Sequence, residues 1–222
     1  MTKHNRFLSV MFSLGALLAS TAAGADGGPY YEVTITNLTR STLFTPALVA
    51  SHSNGVSIFE LGSPASDELA ALAEGGDTAP LTAALLADDR VVDVQQAGGP
   101  LEPGASVTVN VMAKYGARRI SLAAMMVPTN DGFIALNNVL APVAHGVTAM
   151  YYSPGYDAGS EPNDELCISI PGPVCGGEGG SPGVGGEDYV HINSGIHGIG
   201  DLAPETYDWR NPTAKITIRR ID

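Results

Sequence analysis

Basic residues are scarce. The 222-residue chain carries 11 Lys and Arg against 23 Asp and Glu, a formal charge of −12. Without a basic face to neutralise phosphates, nucleic-acid binding is excluded as a function class. Electrostatic docking on anionic lipid is excluded for the same reason. Cysteine is almost missing: Cys167 and Cys175 are the whole complement. Two thiolates with no neighbouring histidine do not make a structural zinc site. In an exported chain a pair this close forms a local disulfide, its small loop worth roughly 2–3 kcal/mol at best. Beyond the first residues, no stretch is long and apolar enough to cross a membrane. A Gly-x-Ser-x-Gly nucleophile elbow is also missing.

The N-terminus has a different character. Lys3 and Arg6 form a positive start, Phe7 to Leu18 is a short apolar run, and Ala23-Gly24-Ala25 offers a small-x-small cleavage site. This reads as a secretory signal peptide over residues 1–25. Ser20 stands where a lipoprotein would carry its lipidated cysteine, which argues against a lipid anchor. The mature chain is then residues 26–222, more acidic still once Lys3 and Arg6 are gone, and exported to the periplasm or the extracellular space.

The mature length suits one all-β domain, and a hydrophobic content of 44% allows a sizeable core. Tyr31, Val33 and Ile35 alternate with Glu32, Thr34 and Thr36, which is a strand with one buried face. Leu43 to Ala50 is a second strand, with Pro46 marking an edge or bulge. Ser66 caps a short helix over the next seven residues, with Asp67 and Glu68 in its first turn and Gly75-Gly76 stopping it. Thr78 to Ala87 is a second short helix. Both belong to a connection laid over one end or edge of a sandwich. Strands return at Val91–Val94 and Ser106–Val111. Arg119–Val127 is nearly continuous in apolar residues, a central strand buried on both faces. Phe133–Leu136 is a short return element, Val147–Tyr152 and Tyr189–Ile192 are strands, and Ala214–Arg219 turns Ile216 and Ile218 inward. Gly176 to Gly186 is dense in glycine and predicts a mobile loop. Asn37-Leu38-Thr39 matches a glycosylation sequon. The fold class is an antiparallel β-sandwich with one or two short helices.

Two loops carry the chemistry. Pro128-Thr129-Asn130-Asp131-Gly132-Phe133 and Tyr156 to Glu165 are rich in carboxylates and carboxamides and poor in Lys and Arg. Adjacent uncompensated acids repel one another unless water or a cation relieves them. Hard oxygen ligands on turns set by Gly and Pro suit Ca²⁺; two solvated acidic turns are the alternative. If Arg119–Val127 runs up, Phe133–Leu136 down and Val147–Tyr152 up again, both loops meet at one end. The stretch from Asp157 to Ile168 is not an EF-hand, because Pro162 and Ile168 stand where that loop needs Gly and Glu. Ser194, His197 and Asp201 lie close in sequence and offer a hydrolase reading, although triad members converge from separate loops. His191 and His197 offer two ligands for a transition metal, although histidines six residues apart more often serve packing or hydrogen bonds. Trp209 and Tyr207 read as core or corner anchors.

Ser121 to Phe133, with its Met125-Met126-Val127-Pro128-Thr129-Asn130-Asp131, and Tyr156-Asp157-Ala158-Gly159-Ser160-Glu161 resemble the paired signatures of the spondin N-terminal (F-spondin) domain family. Asn193 to Gly198 and Tyr207 to Pro212 resemble further blocks of its bacterial, single-domain members. The resemblance spans about Tyr31 to Ile221. It implies a β-sandwich similar to C2 domains with a bound calcium ion, in proteins of the extracellular matrix and of cell adhesion. It carries the metal ligands onto Asp131, Asp157 and Glu161, the last where animal members usually have Asp. Asn130, Asp164 and Glu165 are placed beside the ion rather than on it. The cysteines of animal domains are not reproduced apart from the local pair, and no thrombospondin repeats follow. Their matrix roles therefore do not transfer directly, and the partner is an unidentified extracellular protein or polysaccharide.

Overall fold

In the computed structural model, residues 28–180 and 185–222 are described. The signal peptide read at 1–25, and the centre of the glycine-rich run, lie outside the described residues. The strands are β1 (Tyr30–Asn37), β2 (Leu43–Phe44), β3 (Leu48–His52), β4 (Val91–Gln96), β5 (Ser106–Met112), β6 (Arg119–Val127), β7 (Gly132–Leu140), β8 (Thr148–Ser153), β9 (Gly155–Asp157), β10 (His191–Ile192) and β11 (Ala214–Arg220). Helices α1 (Asp67–Gly75) and α2 (Ala79–Leu86) lie between β3 and β4, and α3 (Pro204–Tyr207) precedes β11.

Alternation builds the smaller sheet, ordered β5-β1-β11-β8 with every pairing antiparallel. Tyr31, Val33, Ile35, Val109, Val111, Ile216 and Ile218 turn inward, while Thr34, Thr36, Thr108 and Thr217 stay outside. The larger sheet runs β10-β9-β7-β6-β3-β4, with β2 also paired to β6. Its inner face, Val49, Leu122, Ala124, Met126, Ile134 and Leu136, packs on the smaller sheet to form the main core, joined by Trp209. Its outer face, Leu48, Ala50, Ala123, Phe133 and Ala135, packs under Leu69, Leu72, Leu81 and Leu85 of the two helices. Burial on both sides is why β6 reads as an unbroken apolar run. The architecture is the antiparallel β-sandwich expected.

Three expectations need correction. The helices do not cover an end or edge. They seal the outer face of the larger sheet, because apolar residues on both sides of β3, β6 and β7 demand a second layer. The strand read as Leu43–Ala50 is divided into β2 and β3, since Thr45 to Ala47 turn past Pro46. The short return element is a full strand, β7, whose later residues Asn137 and Asn138 are polar; Asn138 adopts φ 59° where the β6–β7 register shifts. The cap was legible: Ser66 accepts from the Leu69 N–H at 3.3 Å, and Gly76 closes α1 at φ 69°.

The chain changes sheets at Pro154. Ser153 ends β8 in the smaller sheet, and one residue later Gly155 begins β9 in the larger one. Trp209 packs against Gly155, where a Cβ would lie 3.1 Å from its Nε1. The sheet register then aligns the acidic loops. Gly132 of β7 faces Asp157 of β9, and Asp157 faces His191 of β10.

The sequon asparagine is not a surface residue. Asn37 is fully buried, donating Nδ2 to the carbonyls of Thr42 (2.8 Å) and Leu101 (3.1 Å) while its Oδ1 accepts from the Thr39 N–H at 2.9 Å. Asn37→Ala is expected to cost about 1–3 kcal/mol by leaving buried backbone groups unsatisfied. An unchanged urea midpoint would contradict this. Cys167 and Cys175 are bonded, with Cα atoms 4.7 Å apart. Native protein treated with alkylating agent should gain no mass until it is reduced, and two alkylated thiols without reductant would contradict the pairing.

Candidate metal centre

Asp131 is the last residue of the β6–β7 turn and is fully buried. Its Oδ2 accepts from the backbone N–H groups of Ser160 (2.8 Å) and Glu161 (3.0 Å), so one loop holds the other. Its Oδ1 is buried, and no hydrogen-bond donor among the described residues reaches it. Such an orphan acceptor is costly unless something positive meets it. Asp157, also fully buried, ends β9. Its Oδ1 accepts from Gly159 N–H at 2.9 Å, and its Oδ2 from the amides of Asn163 and Asn193, each at 2.9 Å. Gly159 has φ 66°, and a side chain there would collide with the Tyr189 backbone.

The two carboxyls press on each other. Burial, then the charge of Asp157, pushes Asp131 up from 3.8 to about 7. Burial likewise raises Asp157, against the hydrogen bonds from Asn163 and Gly159 and the pull of His191. Among the described residues no Lys or Arg forms an ion pair with either acid. Two buried carboxylates side by side cannot both ionise cheaply without a cation. Asp157 also faces two groups that sequence reasoning did not place here. With Glu187 and His191 it forms a cluster whose ligand atoms lie within 4.8 Å of one another.

Asp131, Asp157 and Glu161 lie at one end of the sandwich, although the group whose ligand atoms gather within 4.8 Å is Asp157 with Glu187 and His191. Glu161 is fully buried, and its backbone is tied to Asp131. Asn130 and Asp164 bond each other at 3.0 Å. Glu165 is buried with φ 57°, and its carboxylate accepts from the backbone N–H groups of His197, Gly198 and Ile199. It therefore clamps the 197–199 turn. Glu187 was missed because nothing local marks it; His191, weighed for metal only in company with His197, is placed here by the cross-strand register with β9.

Ser194 and His197 line one cleft with Asp208 and Trp209. Both are exposed, and among the described residues no hydrogen bond joins them. Asp201 is turned away, its Oδ2 accepting from the Cys167 N–H at 2.9 Å. The parts of a triad are present without its geometry.

Residues 36–140 match the model of a known family, described as Spondin_N. The match runs from the end of β1 through β7 and includes Asp131, but stops before Asp157 and Glu161. No curated protein matches the chain.

Proposed function

We propose that this chain is a secreted, calcium-binding spondin-type module that serves binding or adhesion outside the cytoplasm rather than catalysis. Asp131, Asp157 and Glu161 supply carboxylate oxygens to one Ca²⁺, with backbone carbonyls and water completing the shell. The observation that carries this reading is the Asp131 Oδ1, buried beside a second buried carboxyl and without a hydrogen-bond donor among the described residues. The donors are hard oxygens on two loops locked together by backbone hydrogen bonds, which suits Ca²⁺. When bound, the ion supplies charge neutralisation, and the chain's part is to hold the loops in register. The Spondin_N match and the disulfide support an extracellular setting. The partner is an extracellular protein or polysaccharide, to be identified by capture from the native cell surface with and without calcium.

Titration calorimetry on the exported protein tests the metal. One Ca²⁺ per chain is expected, with Mg²⁺ a poor substitute because it demands a tighter octahedron and dehydrates reluctantly. Absence of calcium heat in chelator-treated protein would sink the proposal.

A further inference from the structure

Asp157 faces a second set of groups besides Asp131. His191 stands opposite it in the β9–β10 ladder, and Glu187 lies four residues before His191. The His191 Nδ1 lies 3.0 Å from the Ile192 carbonyl oxygen. A carbonyl only accepts, so Nδ1 carries the hydrogen and Nε2 is left as the other ring atom. That Nε2 is sealed from solvent, with no hydrogen-bond partner among the described residues, 3.4 Å from Asp157 Oδ1 and 3.7 Å from Glu187 Oε2. Two carboxylate oxygens thus converge on one ring nitrogen.

Something positive belongs between these three atoms. Ligand atoms 2.0–2.1 Å from a tetrahedral ion stand roughly 3.3–3.4 Å apart, close to the spacing seen here. The surroundings are arranged as for a metal site. Asn163 Nδ2 donates to Asp157 Oδ2 (2.9 Å) and to Glu187 Oε1 (3.2 Å), leaving the other oxygen of each toward the imidazole. Asn193 holds the same Asp157 Oδ2 at 2.9 Å. Behind Asp157 lies Asp131, fully buried with its Oδ1 unpaired among the described residues. His191 and Glu187 are partly open, their side chains 24% and 37% exposed, which provides an entry path.

We propose that Asp157, Glu187 and His191 form a second cation position, beside the calcium site, that takes a transition metal of the zinc class. An imidazole selects such metals over Ca²⁺ and Mg²⁺. Three protein ligands leave one position for water or for a group from a partner. The Ile192 carbonyl and Asn163 orient the ligands from outside. This site goes beyond the calcium reading and shares only Asp157 with it.

The test adds Co²⁺, then Zn²⁺, to calcium-loaded exported protein, reading the visible absorption of bound cobalt and its displacement by zinc. One equivalent with a tetrahedral spectrum is expected. His191→Gln and Glu187→Gln should each weaken zinc by at least about 100-fold, and Asn163→Ala by about 10-fold, while the calcium-dependent melting shift persists in His191→Gln. His197→Gln should change nothing. Asp131→Asn should do the reverse, removing the calcium shift and sparing zinc. No cobalt spectrum in wild type, or full zinc affinity in His191→Gln and Glu187→Gln, would overturn the proposal without touching the calcium site.

Discussion

Removal of calcium from the calcium-loaded protein should lower its melting temperature by roughly 5–10 °C. At a free concentration 100 times its dissociation constant, a ligand that binds only the folded state adds about 2.7 kcal/mol. A domain of this size responds by about 2–4 °C per kcal/mol. The variants give the sharper outcome. Asp157→Asn should weaken calcium far more than Asp164→Asn, because Asp157 faces the buried carboxyl of Asp131 whereas Asp164 bonds Asn130. Asp131→Asn should abolish the calcium shift yet leave chelated protein more stable than chelated wild type. The amide oxygen can still accept from Ser160 and Glu161, and the repulsion with Asp157 is gone. A chelator that leaves the wild-type melt unchanged, or an Asp131→Asn protein that is less stable than wild type in chelator, would count against the site.

The second large effect is in pH. Burial and the Asp157 charge raise the folded-state value of Asp131 from 3.8 to about 7. The folded state therefore holds this proton more tightly than the unfolded chain does. The resulting stability is complete below the unfolded value and is lost as pH rises through about 7. His52 acts in the opposite direction. Burial lowers it, so its contribution is present above its unfolded value of 6.5 and falls away on acidification. Comparing wild type with Asp131→Asn in chelator cancels His52. Between pH 6 and pH 8 wild type should lose about 1.4 kcal/mol relative to the variant. Calcium at saturation should remove most of this loss, since it displaces the same proton. Parallel curves for the two chelated proteins would refute the buried carboxyl pair.

Much of the fold was legible because its causes are local. Alternation in Tyr30–Asn37 and Ala214–Arg220, a cap at Ser66 and a stop at Gly76 follow from backbone sterics and from which face meets the core. Those causes act over a few residues, so the sequence alone sufficed. Up-down-up bookkeeping also placed Asp131 and Asp157 at one end, although the route was different: β8 does not deliver Asp157, and β9, after the switch of sheets at Pro154, does. The unbroken apolar run of Arg119–Val127 announced burial on both faces. It could not say that helices supply the second cover, because that depends on which surface α1 and α2 find. The same limit hid Asn37, whose sequon looks like a surface loop until the Thr42 and Leu101 carbonyls close on it. It hid Glu165, an acid in an acidic loop, until the turn at His197 to Ile199 donated to it. His191 and Glu187 acquire chemistry only from the β9–β10 register, which sets an imidazole against a buried carboxylate 34 residues away in sequence. Residue types determined that hard oxygen ligands and a sandwich were available. Pairing between distant strands decided which side chains share a site, because register is a property of two segments and is written in neither alone.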